Sequence, residues 1–361
     1  MSRRLLTTSI SGGVLAVMIA AVWLMAVPVG AEAAGGGAQS PAGKASTPPK
    51  TPWGDPDLQG IWNNATSTPL QRPAALGEKV VLTEEEAADF QEEVAENLTR
   101  DRRDGGPEAD VNRAYNDHWM DAKRLLITED RRTSLIVDPP DGRIPALVAL
   151  SPERQKRRAD RAAAAARFNA GMPLRAQELS LPVRCIIRTD SPPYLGTIYN
   201  NTYQIFQSPG NVTILVEMIH SARVIPVDGR PHIGKSLGQW LGDTRGRWDG
   251  NTLVVETTNF RTDDGVTYGG SNPETFKIVE RFTRVGADRL NYEFTVSDPQ
   301  TWTRPWTARV PWNKTQDQLF EYACHEDNYD IVHLLHGARE REKRGETAAP
   351  APQRPAAGGN E

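Results

Sequence analysis

Of the 361 residues, only one stretch is both long and free of charge, Gly12 to Val27 near the start. It is only marginally long enough to cross a bilayer. A basic surplus is also missing. Lys and Arg number 42 against 46 Asp and Glu, for a formal net charge of −4. Nothing in that balance neutralises phosphates, so nucleic acid is not expected as a partner. Cysteine is nearly absent, with only Cys185 and Cys324. No CxxC occurs, which removes support for a dithiol redox motif or a zinc ribbon, and no Cys follows the apolar run to carry a lipid anchor. HxH, HExxH and a dinucleotide fingerprint are all missing. No cofactor and no metal site is therefore expected. The nearest approach to a ligand set is His220 and His232 with Glu217.

The N-terminal segment reads as a signal peptide spanning 1–33. Arg3 and Arg4 supply the positive n-region, Gly12 to Val27 the apolar segment, and Ala31-Glu32-Ala33 a small-x-small cleavage site. Ser2-Arg3-Arg4-Leu5-Leu6 partly matches a twin-arginine signal, so the general and twin-arginine routes both stay open. The alternative is an uncleaved membrane anchor. A periplasmic or secreted protein follows, with no membrane segment in its mature form. In an oxidising compartment Cys185 and Cys324 are expected to pair, the alternative being two separate buried thiols. Residues 34–51, rich in Gly, Pro, Ser and Lys, read as a flexible linker, and 338–361 as a disordered tail.

Roughly 290 residues lie between these ends, enough for one large domain with an extension. Residues 52–183 read as an arm with two helices and a hairpin. Thr83 and Glu86 form a capping box for the first helix, which runs to about Arg100. Ser151 caps the second, with Pro152 at its first position and Gly171 at its end. Thr133 to Val137 and Arg143 to Val148 flank Asp138-Pro-Pro-Asp-Gly142 as a hairpin. The basic cluster from Arg154 to Arg161 falls on the second helix and reads as a solvated face.

From 184 to 337 the pattern becomes short alternating runs separated by Asp/Asn/Gly turns. Ser208-Pro-Gly-Asn211, Asp249-Gly-Asn251 and Gly286-Ala-Asp-Arg289 are examples. Strands are expected at 203–207, 212–220, 224–227, 245–248, 252–258, 276–285, 290–297, 303–310 and 318–324. The fold class is thus mostly antiparallel β (α+β). A lipocalin- or calycin-like barrel with the N-terminal helices packed outside is the expected architecture, and a β-sandwich the alternative.

Strand alternation places a few polar groups on otherwise apolar faces: His220, Glu280, Tyr292, Thr257 and Asn259. A carboxylate among apolar neighbours must find a partner or raise its pKa. One reading has Glu280 and His220 as acid and base facing a cavity, with Tyr292 as a hydrogen-bond donor. The other pairs Glu280 with Arg223 or Arg281 and leaves His220 as a bonded core histidine. Glu217, Arg223, Arg230, His232, Asn259, Trp240 and Trp248 are candidate substrate-binding residues, through guanidinium forks and indole faces. The functional expectation is a small-molecule pocket in a barrel, serving a lyase, isomerase or hydrolase without a nucleotide cofactor. The alternatives are a non-catalytic ligand-binding barrel or a cell-envelope interaction protein.

Several stretches together carry a resemblance: Pro56-Asp-Leu-Gln-Gly-Ile-Trp62, Arg132-Thr-Ser-Leu-Ile-Val-Asp-Pro-Pro-Asp-Gly-Arg-Ile-Pro145, Tyr199-Asn-Asn-Thr-Tyr-Gln204, Trp240-Leu-Gly-Asp-Thr-Arg-Gly-Arg-Trp-Asp-Gly250 and Glu321-Tyr-Ala-Cys-His-Glu326. They resemble a family of exported hypothetical proteins from environmental bacteria. The resemblance implies export and a shared fold, and it assigns no catalytic residue.

Overall fold

The computed structural model describes residues 49–98, 125–261 and 270–346. The expected signal peptide at 1–33 and most of the linker lie outside the described residues, as do Tyr115 to Trp119 and the tail beyond 346.

Ten antiparallel strands form one sheet: β1 (Gly60–Asn63), β2 (Ile136–Asp138), β3 (Thr202–Ser208), β4 (Asn211–Val216), β5 (Ala222–Pro226), β6 (Asp243–Asp249), β7 (Thr252–Thr258), β8 (Lys277–Arg284), β9 (Arg289–Ser297) and β10 (Trp306–Lys314). Their order is β5-β4-β3-β1-β10-β9-β8-β7-β6, with β2 pairing the other end of the β10 edge that β1 occupies. The helices α1 (Glu84–Leu98), α2 (Pro152–Asn169) and α3 (Asp330–Lys343) lie outside the sheet. The sheet curls into a nearly closed barrel in which β5 and β6, its two ends, lie side by side without a backbone ladder. A glycine permits that approach. A Cβ at Gly246 on β6 would sit 2.8 Å from Ile225 Cγ2 on β5 and 2.8 Å from Val227 Cγ1.

Period-two alternation builds the core. On β9, Leu290, Tyr292, Phe294 and Val296 are all at 0 % exposure, while their sequence neighbours are half-buried. Ile278, Glu280 and Phe282 on β8 and Trp306, Ala308, Val310 and Trp312 on β10 do the same. Rings fill the centre: Tyr203 stacks on Trp312 at 4.4 Å, and Phe282 meets Tyr292 at 4.8 Å. Groups at zero exposure have no water-sized space against them, so this part of the barrel is packed like a protein core.

The local helix signals act as their chemistry requires. The Thr83 amide donates to Glu86 Oε2 at 2.8 Å, and the Glu86 amide to Thr83 Oγ1 at 3.2 Å, completing the capping box. Ser151 Oγ accepts from the Arg154 amide at the start of α2.

Four expectations are corrected. β1 belongs to the barrel, between β3 and β10, so a boundary at residue 184 cuts through the domain. Trp62 is consequently fully buried, whereas Trp53 stays exposed. The hairpin around 138–142 does not form. The turn is there, with the Gly142 amide donating to Pro139 O, but β2 pairs with β10 and residues 143–148 make only a bridge from Leu147 to Trp302. Pro139 and Pro140 have no N–H to continue a ladder. No strand forms at 318–324, a stretch with no buried residue to anchor an inward face. Lastly, residues 338–343 belong to helix α3, with Ala338 fully buried. Its Ile331, Leu334, Leu335 and Ala338 carry a helical period that was legible in the sequence.

Candidate functional site

One polar network lies inside the apolar barrel. Arg223 comes from β5, Thr244 from β6, Thr257 from β7, Glu280 from β8 and Tyr292 from β9. Tyr194 reaches in from the segment preceding β3. Arg223 is 4 % exposed and Glu280 0 %. The guanidinium meets the carboxylate through two bonds, Nη1 to Oε1 at 3.0 Å and Nη2 to Oε2 at 2.5 Å. Nη1 also donates to Tyr194 Oη, Nη2 to Thr257 Oγ1 at 2.7 Å, and Nε to Thr244 Oγ1 at 3.2 Å. All five N–H groups of the arginine are thereby used. Tyr292 Oη donates to Glu280 Oε1 at 2.9 Å and accepts the Tyr194 amide at 3.1 Å. The bond from Arg223 to Thr244 spans the β5–β6 seam, so side chains close the barrel where the backbone ladder stops.

The electrostatics agree with this packing. Desolvation pulls the Arg223 pKa down, but the neighbouring Glu280 charge outweighs it and the guanidinium is held more firmly protonated than usual. Desolvation pushes Tyr194 up to about 12, with Arg223 offsetting part of the effect. Tyr292 rises well above its ordinary value through desolvation and then the Glu280 charge. Both phenols stay protonated at physiological pH.

His220 does not join Glu280. β4 ends at Val216, and a tight turn follows in which Ile219 and His220 have φ of 62° and 57°. That turn breaks the alternation that would have pointed His220 inward, and the side chain is exposed. Glu280 takes Arg223 instead, the other partner the sequence allowed.

The remaining candidates scatter. Glu217 is buried at the end of β4, where its carboxylate accepts the Phe320 amide at 3.5 Å. Arg230 is exposed and forks onto Asp228, holding that carboxyl at about 2. His232 Nδ1 lies 2.6 Å from Asp243 Oδ2, and its Nε2 lies 3.5 Å from Glu256 Oε1. Arg245 holds the other Asp243 oxygen at 2.7 Å. Asn259 turns outward at φ 56° and donates to Ile233 O at 2.9 Å, pinning the loop before β6. The Trp240 ring carries the Arg261 guanidinium 4.4 Å from its centroid. Trp248 packs half-buried against the core. Among the proposed site residues, only Arg223, Glu280 and Tyr292 meet in one bonded network. Thr244 and Tyr194 belong to it as well. Alternation in β6 could have indicated Thr244, but Tyr194 lies in irregular chain and left no periodic signal.

Cys185 and Cys324 are bonded, 139 residues apart. Among the described residues no group of His, Cys, Asp or Glu is arranged to hold a metal ion, and no helix is long and apolar enough to cross a membrane. Outside the barrel, α2 and the segments near Leu147, Gly270 and Thr301 enclose an open cleft of about 350 Å³.

No protein-family model matches the chain, and no curated protein matches it. Among solved structures, it is similar to a secretary abundant heat soluble (SAHS) protein from Ramazzottius varieornatus. The identity is 13 %, covering 32 % of this chain and 70 % of that one, with a TM-score of 0.21. At that level the likeness carries no argument, and the barrel stands on its own strand pairings.

Proposed function

We propose that this is an exported, non-catalytic barrel protein that works by binding a small molecule on its outside. The observation that carries this reading is the saturation of the Arg223–Glu280–Tyr292 network. A general acid or base must reach a proton on its substrate. Here both carboxylate oxygens of Glu280 and every N–H of Arg223 are bonded to protein, at zero or near-zero exposure. The interior offers a fixed ion pair and packed rings where a lyase or isomerase would need a vacancy. The open cleft beside α2 is of small-molecule size. Export is supported by the leader-like N-terminus and by the disulfide, which suits an oxidising compartment.

A thermal-shift screen of the purified protein against metabolites tests the binding claim, since a ligand that prefers the folded state raises the melting temperature by mass action. The expected result is a saturable shift that persists in Arg223→Met/Glu280→Leu. Turnover of a substrate that disappears in a folded Glu280→Gln or His220→Ala variant would refute the reading. Intact mass of the protein recovered from the periplasm tests export, and the expected mature chain begins just after Ala33.

A further inference from the structure

We infer that the cleft beside α2 is a binding site for a small organic oxyanion, a phosphate or carboxylate carried on an apolar body. The inference rests on the proposed binding function and gives it a place and a ligand chemistry. Arg154, Arg157, Arg158 and Arg161 all line the cleft. Their spacing, i, i+3, i+4 and i+7, puts them on one face of α2. Like charges at these spacings destabilise a helix, so the stripe is a cost to folding unless an anion neutralises it.

The acids of α2 do not neutralise it. Glu153 reaches only Arg157, at 3.8 Å, and Asp160 is taken by Lys156 on another face at 2.7 Å. Arg158 and Arg161 have no ion pair or hydrogen bond among the described residues. Arg154 behaves differently. It donates to Gln300 O and, at 2.8 Å, to Thr301 Oγ1, and so fixes the helix against the loop after β9. One arginine therefore anchors the stripe, and the unpaired ones are left facing the cleft.

The rest of the lining mixes the polar Ser271, Asn272 and Thr301 with an apolar part. Leu147, Leu150 and Pro273 share the cleft, and Leu147 is 64 % exposed, a large side chain left uncovered. α2 itself has no buried residue, so its position is not explained by burying an apolar face. Guanidinium forks bind oxyanions through paired charge-assisted bonds, and exposed leucine beside them favours a ligand with hydrocarbon attached.

Calorimetric titration with hexyl phosphate, hexanoate and inorganic phosphate tests this. Hexyl phosphate is expected to saturate and to bind about tenfold more tightly than inorganic phosphate. Arg158→Gln/Arg161→Gln should weaken it about tenfold, while Lys156→Gln/Arg175→Gln, which removes equal charge elsewhere, should leave it within about twofold. Comparable binding of hexanoate shows that the site takes either oxyanion, and its failure restricts the site to phosphate. Equal losses in both double variants, or none in the first, would overturn the site, and the binding reading would then stand on ligands found elsewhere. If no probe and no compound of the wider screen binds, both fall.

Discussion

At the scale of single residues, the central question is what a buried ion pair does when no substrate reaches it. Arg223 and Glu280 lie in a low-dielectric interior, and their mutual bonds offset the cost of leaving water. Removing one partner leaves an uncompensated charge. Arg223→Met alone and Glu280→Leu alone are each expected to destabilise the protein by about 3–5 kcal/mol in urea unfolding. The double variant should recover much of that loss, because neither charge remains buried. A double variant as unstable as the sum of the two would mean that the hydroxyls of Thr244, Thr257 and Tyr194 cannot adapt. Asp190 gives a second test. It is 1 % exposed, and desolvation raises its pKa, more than the hydrogen bond from the Arg188 amide lowers it. A raised folded-state pKa means that the native state holds the proton more tightly than the unfolded chain. The associated stability is present at low pH and lost as pH rises through the folded value. Asp190→Asn should therefore stabilise the protein at neutral pH, and the difference from wild type should shrink toward pH ~4. Unfolding curves of both proteins across that range check the sign.

At the scale of elements, the β5–β6 seam is where the barrel is most easily opened. No backbone ladder crosses it. Closure relies on the Arg223 bond to Thr244 and on Ile225 and Val227 lying against the bare backbone of Gly246. Gly246→Val would push a side chain into those two groups. The expected cost is about 1–3 kcal/mol, the range for overpacking. Hydrogen exchange should report faster opening in β5 and β6 and little change in β8 to β10. Uniform acceleration across the sheet would argue that the seam is not a separate weak point.

At the scale of the whole molecule, one covalent bond ties together the two ends of the run of strands from β3 to β10. The link from Cys185 to Cys324 closes a loop of 139 residues that contains β3 to β10. Constraining so long a loop in the unfolded chain is worth about 4–5 kcal/mol on the chain-entropy account. Cys185→Ser/Cys324→Ser should lose that amount in equilibrium unfolding, and reductant should lower the melting point of the wild type but not of the variant. A loss well under 2 kcal/mol would mean that the unfolded chain is already compact.

Local rules determined much of this protein. The capping box at Thr83 and Glu86, the Ser151 cap and the inward faces of β4, β7, β8 and β9 follow from spacing and turn chemistry, because those preferences act within a few residues. Glu280 and Tyr292 were marked as interior polar groups for the same reason. What spacing could not fix was which strands become neighbours. The insertion of β1 between β3 and β10, the pairing of β2 with β10 and the choice of Arg223 as the partner of Glu280 are contacts between residues far apart in the chain. They are set by closure of the barrel and by the need to satisfy a buried charge. The fate of His220 depended on where β4 stopped, and two residues of positive φ moved it from the core to the surface. Likewise the arginines of α2 read as a solvated face until the fold laid them along a cleft beside an exposed leucine. Side-chain alternation is a property of the chain, whereas partnership across a barrel is a property of the packed whole.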